Sequence, residues 1–507
     1  MTASQTAITM LSEREKLSKL SSSNEIEMDD QISAKSEFFP NTHQISSLEY
    51  YAPDAAATDT STLVYVIYFC NQFFACIALG MFQGSIPLIL INAGAGLADL
   101  GLLTISNYPF SLQFLAGPIL DRYFSPRLGK RMSYIIPCLY TFLILSIITC
   151  FSADKYVMSL CTLHLAIMSL LMVLNAVILI ISSDGYLVSM VPAEKRTYLS
   201  MLKQVASATG GFVSYNIFVP LNNLDFSNRH LYKEPHTTPW LTFRTYFLII
   251  SAVVFIYVLF VQRYARKEPH ALDQLNSMSK ILKLTKGFWT NKYLFSCLLF
   301  ILVWRIGFAP LEALFFPVMI QRGFPAVSFI DIVTLLYPFG IVLSVLGGYY
   351  ALKNRQNRFR LLYVHIGIRW LTSFLQYWML KTYSSEDWKG AFWMVTLWQV
   401  LSMTHYSLFG IATESFFAEA CDSRIGTTYM TIYASISSLG DNVPKTVMYF
   451  IIGPENWEGI TFVLWIYAGI LLLFSMPVAK KISQVRLEEL QLEPPTEAQS
   501  LIENLKQ

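Results

Sequence analysis

Long apolar stretches recur along almost the whole chain, and they restrict its fold more than any other feature. A helix needs about 20 predominantly apolar residues to cross the hydrocarbon core of a bilayer. Of the 507 residues, 54% are hydrophobic and only 14% are charged, and the mean hydropathy is +0.45. A soluble chain of this length carries more charge on its surface. The sequence therefore predicts an integral membrane protein whose helices are largely covered by lipid.

Twelve segments are predicted to span the membrane, in two groups of six. The first group comprises residues 63–82, 100–120, 132–151, 157–181, 198–220 and 246–261. The second group comprises residues 294–316, 327–350, 361–380, 392–411, 427–452 and 460–479. The predicted fold class is an all-α polytopic membrane protein with two pseudo-symmetric six-helix bundles, the arrangement of the major-facilitator fold.

Polar segments flank and separate the two bundles. Residues 1–62 are rich in Ser, Thr, Asp and Glu and contain no apolar run, so they predict a disordered cytosolic tail and not a cleaved signal peptide. Residues 63–262 form the predicted N-terminal bundle, and residues 263–292 a basic cytosolic linker. Residues 293–479 form the predicted C-terminal bundle, and residues 480–507 a second cytosolic tail.

Lys and Arg concentrate in alternate connections between the predicted spans. Short basic loops of membrane proteins lie in the cytosol. The basic residues of the connections assigned to the cytosol, outside the linker, are Arg122, Arg127, Lys130, Arg131, Lys195, Arg196, Lys353, Arg355, Arg358 and Arg360. The connections after the first and eleventh spans contain no Lys or Arg. This distribution predicts that both termini are cytosolic.

The connection after the second span carries a motif made of Gly117, Asp121, Arg122, Gly129, Lys130 and Arg131. It resembles the G-x-x-x-D-R-x-G-R-R loop of major-facilitator transporters, with an insertion. In such a loop the Asp can meet basic groups or helix N-termini across the cytosolic face and hold one conformation closed. We therefore assign Asp121, Arg122 and Arg131 to a gate, although an ordinary positive-inside loop also explains the basic residues.

Four longer stretches carry a resemblance to one family. QGSIPLIL (83–90) and YPFSLQFLAGPILD (108–121) resemble both the acetyl-coenzyme A transporters and the related bacterial muropeptide permeases. SDGYLVSMVPAEKR (183–196) also resembles both, and its PAEKR is closer to the permeases. RIGTTYMTIYASISSLGDNVPKT (424–446) resembles the signature of the acetyl-coenzyme A transporters. The chain is thus identified as similar to that family within the major-facilitator superfamily.

The resemblance implies a secondary transporter that moves acetyl-CoA across the endoplasmic reticulum membrane by alternating access, in exchange for CoA. A muropeptide-like solute, another bulky anion or a transporter-like receptor are the alternatives. An enzyme is not favoured, because no Ser/His/Asp or Cys/His arrangement stands out along the predicted helices. No ATPase signature, cofactor site or metal site is recognised, and the net charge of +3 does not indicate a nucleic-acid partner. The oligomeric state stays open.

Three predicted spans carry polar and small residues at helical spacing. A ligand of the CoA type needs cations, hydrogen-bond donors and an apolar or aromatic platform. The fifth, tenth and eleventh spans are therefore predicted to line a cavity. The predicted lining residues are Lys203, Ser207, Gln399, Tyr406, Thr431, Ser435, Asn442 and Lys445. The two lysines could instead extend to the headgroup layers.

Charged residues inside spans cost at least a few kcal/mol each and mark function or pairing. Arg305, near the middle of the seventh span, is expected either to bind phosphate or to form an internal salt bridge, with Glu312 as its partner. Arg369 on the ninth span is a secondary binding candidate, with a structural contact favoured.

Carboxylates near the span ends are assigned to gating or capping. Asp184 is expected to close the cytosolic gate against Lys195 and Arg196. Asp331, Glu414 and Asp441 could bind protons, although capping or loop roles are favoured for each.

Overall fold

The computed structural model describes residues 62–191, 197–265, 286, 289, 292–353, 358–384, 388–420, 426–452 and 456–484. All of them fall within one compact unit, Asp59–Gln507. Within these ranges the chain is helical apart from short turns, and no strand occurs. The predicted N-terminal tail and most of the predicted linker lie outside the described residues.

The first half contains ten helices among the described residues, two of which are continued by π-helical segments. They are α1 (Thr62–Leu79), the π segment Gly80–Ser85, α2 (Ile86–Asn92), α3 (Leu97–Ile105), α4 (Tyr108–Arg122), α5 (Met132–Met158), α6 (Thr162–Met190), α7 (Thr197–Gly211), the π segment Phe212–Ile217, α8 (Phe218–Asn222), α9 (Leu224–His230) and α10 (Phe243–Tyr264).

The second half continues with longer helices. They are α11 (Lys292–Gln321), α12 (Ala326–Lys353), α13 (Arg358–Thr382), α14 (Trp388–Ala420), α15 (Gly426–Val447), the π segment Met448–Ile452 and α16 (Trp457–Gln484). Proline residues inside α11 and α12 do not end these helices. Membrane helices tolerate such prolines because neighbouring groups satisfy the freed carbonyls.

Two predicted boundaries were wrong. The fourth span was expected to begin at residue 157, but α5 continues to Met158 and the turn includes Leu160, whose φ is +50°. Apolar residues continue through this turn, so hydropathy alone does not reveal it. The second span is divided between α3 and α4, because Pro109 in the first turn of α4 has no N–H to continue the preceding helix.

Six helical stretches among the described residues are long and apolar enough to cross a membrane. They are Thr62–Asn92, Met132–Val157, Thr162–Met190, Phe243–Tyr264, Phe295–Gln321 and Asp331–Tyr350. The chain is thus an all-α, multi-pass membrane protein. The total of twelve spans stays a prediction, because the helices at the other predicted spans are more polar or interrupted.

The two halves pack together through a few helices. α4 lies along α15, and α7 contacts both α12 and α14. An apolar core runs through the first half and continues into α11, α14 and α15, and a second apolar cluster lies among α11 to α14. The polar stripes predicted on the fifth, tenth and eleventh spans therefore belong to helices at the junction of the halves.

Candidate functional site

A cavity of about 450 Å³ lies between the two halves, where α1, α7, α11, α12 and α14 meet. A second cavity of about 300 Å³ adjoins it, and both are lined by Gln83, Gly84, Tyr215 and Phe316. Pockets for small ligands typically occupy about 300–1,000 Å³. Each half of the molecule supplies part of the wall, as alternating access requires.

Two of the predicted lining residues, Ser207 and Gln399, lie on the larger cavity. Much of the remaining wall is apolar or aromatic, including Phe329 and Tyr337 of α12. The cavity thus combines a few polar groups with a large apolar platform. Tyr406 was also predicted for this site, but its side chain lies outside the described residues.

The π-helical segments shape these cavities. The first carries Gln83 and Gly84, the second Tyr215, and the third Tyr449, which lines the smaller cavity. A Cβ atom at Gly84 would lie 2.9 Å from the ring of Tyr215, so the absence of a side chain lets the two segments approach. Such π segments often occur at functional sites because they redirect side chains from the regular helical pattern.

A buried triad of Asp184, Lys203 and Glu414 lies one helical turn from the cavity-lining Ser207. The Lys203 ammonium is 2.9 Å from Asp184 on α6 and 3.8 Å from Glu414 on α14. Lys203 therefore joins the two halves of the molecule. The predicted partners of Asp184, Lys195 and Arg196, lie outside the described residues.

Asp184 also accepts two hydrogen bonds from α1. The Tyr68 hydroxyl donates at 2.9 Å and the Gln72 amide at 2.8 Å. Sequence analysis missed both donors. Their spacing of one helical turn within an otherwise apolar span is a signal that could have identified them.

A second ionic cluster occupies the C-terminal half. Glu312 forms ion pairs with Arg369 and, at 3.9 Å, with Lys445. Asp441 is 2.8 Å from Lys445 and 3.7 Å from Arg305. Glu312 also lines the smaller cavity, so this cluster reaches the cavity wall. The cations predicted to hold phosphate are thus paired with carboxylates in this conformation.

Arg369 is the most enclosed cation of this cluster, with 2% of its surface exposed. Its guanidinium contacts the Nε2 atom of His405 at 2.9 Å and lies over the ring of Phe308, 5.1 Å from the ring centre. The ring of His365 is 5.1 Å from that of His405. These contacts fit the structural role favoured for Arg369.

Asp121, which follows the predicted second span, forms a latch between the halves. It pairs with Arg131 at 2.6 Å and Lys130 at 3.5 Å, and it accepts hydrogen bonds from the N–H and hydroxyl of Thr428 on α15. Burial would raise the pKa of the Asp121 carboxyl, but the two cations and the Thr428 hydrogen bonds lower that pKa below its usual value. Arg122 stays apart from this latch, over the ring of Tyr123.

The predicted stripe on α15 faces α4 in this structure. Ser435 accepts a hydrogen bond from the N–H of Phe114 at 2.9 Å, and the Asn442 amide donates to Ser111 at 3.1 Å. Thr431 lies against Gly117. These side chains therefore form a polar seam between the halves instead of lining either described cavity.

The chain matches a known family over its first half. Residues 62–292 match the family model described as "Acetyl-coenzyme A transporter 1". The match covers the predicted N-terminal bundle and linker and confirms the family resemblance there. The C-terminal stretch 424–446 lies outside the matched residues.

Two yeast proteins are similar over most of the chain. "Uncharacterized protein C21B10.09" of Schizosaccharomyces pombe is 25% identical over 386 residues, which cover 73% of this chain and 71% of that protein. "Uncharacterized membrane protein YBR220C" of Saccharomyces cerevisiae is 22% identical over 454 residues, covering 73% of this chain and 80% of that protein.

Solved transporter structures share the fold. The human organic anion transporter MFSD10 (TETRAN) has a TM-score of 0.56 and 13% identity, covering 81% of this chain and 98% of that one. FucP, a major-facilitator transporter in the outward conformation, has a TM-score of 0.54 and 12% identity, covering 86% of this chain and all (100%) of the other. These similarities confirm the major-facilitator fold.

Proposed function

We propose that this chain, a major-facilitator protein whose residues 62–292 match the acetyl-coenzyme A transporter family, moves acetyl-CoA across the endoplasmic reticulum membrane in exchange for CoA. The family match is the observation that carries the substrate, and the cavity between the halves supports the transport. The membrane is the one that the family resemblance implies, and both termini would be cytosolic.

The ligand chemistry suits the arrangement around the cavity. The phosphates of acetyl-CoA need cations, and its adenine and pantetheine arm need aromatic or apolar surface. Arg305 and Lys445 belong to the ionic cluster that reaches the cavity through Glu312. Tyr215, Phe316 and the other wall residues supply the apolar surface.

The ion pairs neutralise the cations of the cluster when no ligand is bound. An uncompensated charge inside a membrane protein is costly, so a cation without ligand needs another anion beside it. Glu312 and Asp441 supply that anion in this conformation. In the proposed cycle a ligand phosphate displaces a carboxylate from Arg305 or Lys445. When CoA leaves, either the carboxylate or the phosphate of the next ligand takes the place of the CoA phosphate beside the cation.

The latch at Asp121 supports alternating access. It joins α4 to α15 through Thr428, and in the proposed cycle it closes the site on one side of the membrane. Release of the latch would open the site on that side of the membrane. Closure of the two halves around the cavity would seal the site from the opposite side. These contacts support the assignment of Asp121 and Arg131 to the gate, with Thr428 as the partner of Asp121 on α15.

A muropeptide-like anion is the second candidate. The PAEKR stretch, residues 192–196, resembles the muropeptide permeases more closely, and the cavity does not by itself distinguish bulky anions. A receptor with a transporter fold would use the same cavity, and only flux separates it from a transporter.

Uptake by the purified protein in liposomes tests the proposal. Labelled acetyl-CoA is offered to vesicles with and without CoA inside, for the natural protein, Arg305→Ala and the control Arg229→Ala. Arg229 is an exposed residue in the last turn of the short helix α9. We expect CoA inside to stimulate uptake, Arg305→Ala to lose it, and Arg229→Ala to retain it. No uptake by folded protein in either condition would reject acetyl-CoA and direct the test to muropeptides.

A further inference from the structure

Negative charge exceeds positive charge in the triad that joins the halves. One ammonium, that of Lys203, lies between the carboxylates of Asp184 and Glu414. The side chains of Lys203, Asp184 and Glu414 are only 16%, 5% and 13% exposed, so water screens the three charges weakly. Two carboxylates that share one cation at such a site repel each other, and protonation of one of them removes the repulsion.

The hydrogen bonds distinguish the two carboxylates. Asp184 has three donors within 2.9 Å, namely Lys203, Tyr68 and Gln72. Within the described part of the chain, Glu414 has two longer polar contacts, with Lys203 at 3.8 Å and with the Gln204 amide at 3.5 Å. Hydrogen bonds to the charged form of a carboxylate stabilise that form, so this geometry favours Glu414 over Asp184 as the carboxylate that takes up a proton.

Among the described residues, charged and titratable groups that interact electrostatically with Glu414 lie on five helices. They are Asp184 of α6, Lys203 of α7, Tyr68 and Cys76 of α1, Tyr433 of α15 and Arg305 of α11. Lys203 keeps its own proton, because Asp184 holds it at 2.9 Å. Arg305 is neutralised in part by Asp441, so it does not replace Lys203 as the partner of Glu414.

We propose that Glu414 is a proton-binding site and that the bound proton releases the ion pair with which Lys203 joins the two halves. The carboxylate of Glu414 takes up one proton from water in the cavity, and the ammonium of Lys203 remains paired with Asp184. The protonated triad has balanced charge and no ionic contact between α7 and α14. Proton uptake at this site therefore frees the halves to move apart at this point. The site goes beyond the proposed exchange and does not depend on which anion is carried.

Infrared spectroscopy of the purified protein tests proton binding without any substrate. The difference spectrum between about pH 5 and about pH 8 is recorded for the natural protein, Glu414→Gln, Glu414→Asp and Glu458→Gln. Glu458 is an exposed residue in the first turn of α16 and serves as the matched control. We expect a carboxylic-acid C=O band that disappears in Glu414→Gln and persists in the other two variants. A band that Glu414→Gln leaves unchanged would overturn the proposal.

The second measurement asks whether the bound proton controls movement of the halves. Exchange of acetyl-CoA for CoA is followed at several pH values in liposomes. We expect the rate of the natural protein and Glu458→Gln to change several-fold across this range, and the rate of Glu414→Gln to stay constant. If Glu414→Gln keeps the full pH dependence, the proton does not act through this ion pair. If acetyl-CoA is not carried at all while the infrared band depends on Glu414, the proposed substrate fails and the proton site stands.

Discussion

Arg369 shows how a buried cation is accommodated at the scale of one residue. Glu312 neutralises it from α11, and His405 contacts it from α14. Removing one member of a buried pair leaves the other charge uncompensated, which typically costs about 3–5 kcal/mol. Removing both members at once avoids that penalty.

Comparison of a single with a double variant tests this pairing. We expect Arg369→Met alone to destabilise the protein by about 3–5 kcal/mol and the double variant Arg369→Met/Glu312→Met to recover most of that loss. Thermal unfolding in detergent, followed by intrinsic fluorescence, gives the comparison. A double variant no more stable than Arg369→Met would show that the pair does not account for the burial of Arg369.

The charged residues within the spans could be found from the sequence, but their partners could not. Arg305, Glu312 and Arg369 stood out because charges in apolar helices are rare. Glu312 was assigned to Arg305 because the two share a helix, whereas the structure pairs it with Arg369 and Lys445. Which residues on separate helices form a pair depends on how those helices pack. The spacing of residues along one helix does not reveal that packing.

At the scale of the helix, α4 and α15 form the main seam between the halves. Gly117 lies so close to Thr431 and to the backbone of Thr428 that an added Cβ would fall 2.8 Å from the Thr428 Cα atom. The backbone of α15 cannot move away from an added methyl group as the end of a flexible side chain can. A small residue at this position is therefore required for the seam to close.

We expect Gly117→Ala to destabilise the closed seam by about 1–3 kcal/mol, the usual effect of overpacking. Gly367→Ala is the matched control, because nothing lies within 4 Å of an added Cβ there. The control should unfold at the same temperature as the natural protein or slightly higher, since alanine favours the helix over glycine by about 0.5–1 kcal/mol. Equal unfolding temperatures for both variants would contradict the close contact.

Helical periodicity predicted that these polar side chains share one face of each helix, but it did not predict what each face contacts. Ser207 lies on the cavity, whereas Thr431, Ser435 and Asn442 of the pseudo-symmetric helix lie in the seam. Whether such a stripe meets a cavity or a helix depends on which end of the transporter is closed. The π segments were not predicted either, because their one-residue insertions leave no clear mark on hydropathy.

At the scale of the whole molecule, the distribution of Lys and Arg is what predicts orientation. It places the linker, residues 263–292, in the cytosol and the connection that contains residues 223–242 on the opposite side. The contacts of the folded protein are the same for either orientation and therefore do not distinguish the two orientations. N-glycosylation does, because the enzyme acts only in the lumen of the endoplasmic reticulum and requires Asn-x-Ser/Thr.

Two single substitutions create this acceptor on opposite sides, in a chain that contains none. Pro235→Asn forms Asn-His-Thr in an exposed connection, and Met278→Thr forms Asn-Ser-Thr within the linker. After synthesis into microsomes, we expect a glycosidase-sensitive increase in mass for Pro235→Asn and none for Met278→Thr. The reverse pattern would invert the whole topology and place the Asp121 latch on the lumenal side, because the latch shares its face with the linker.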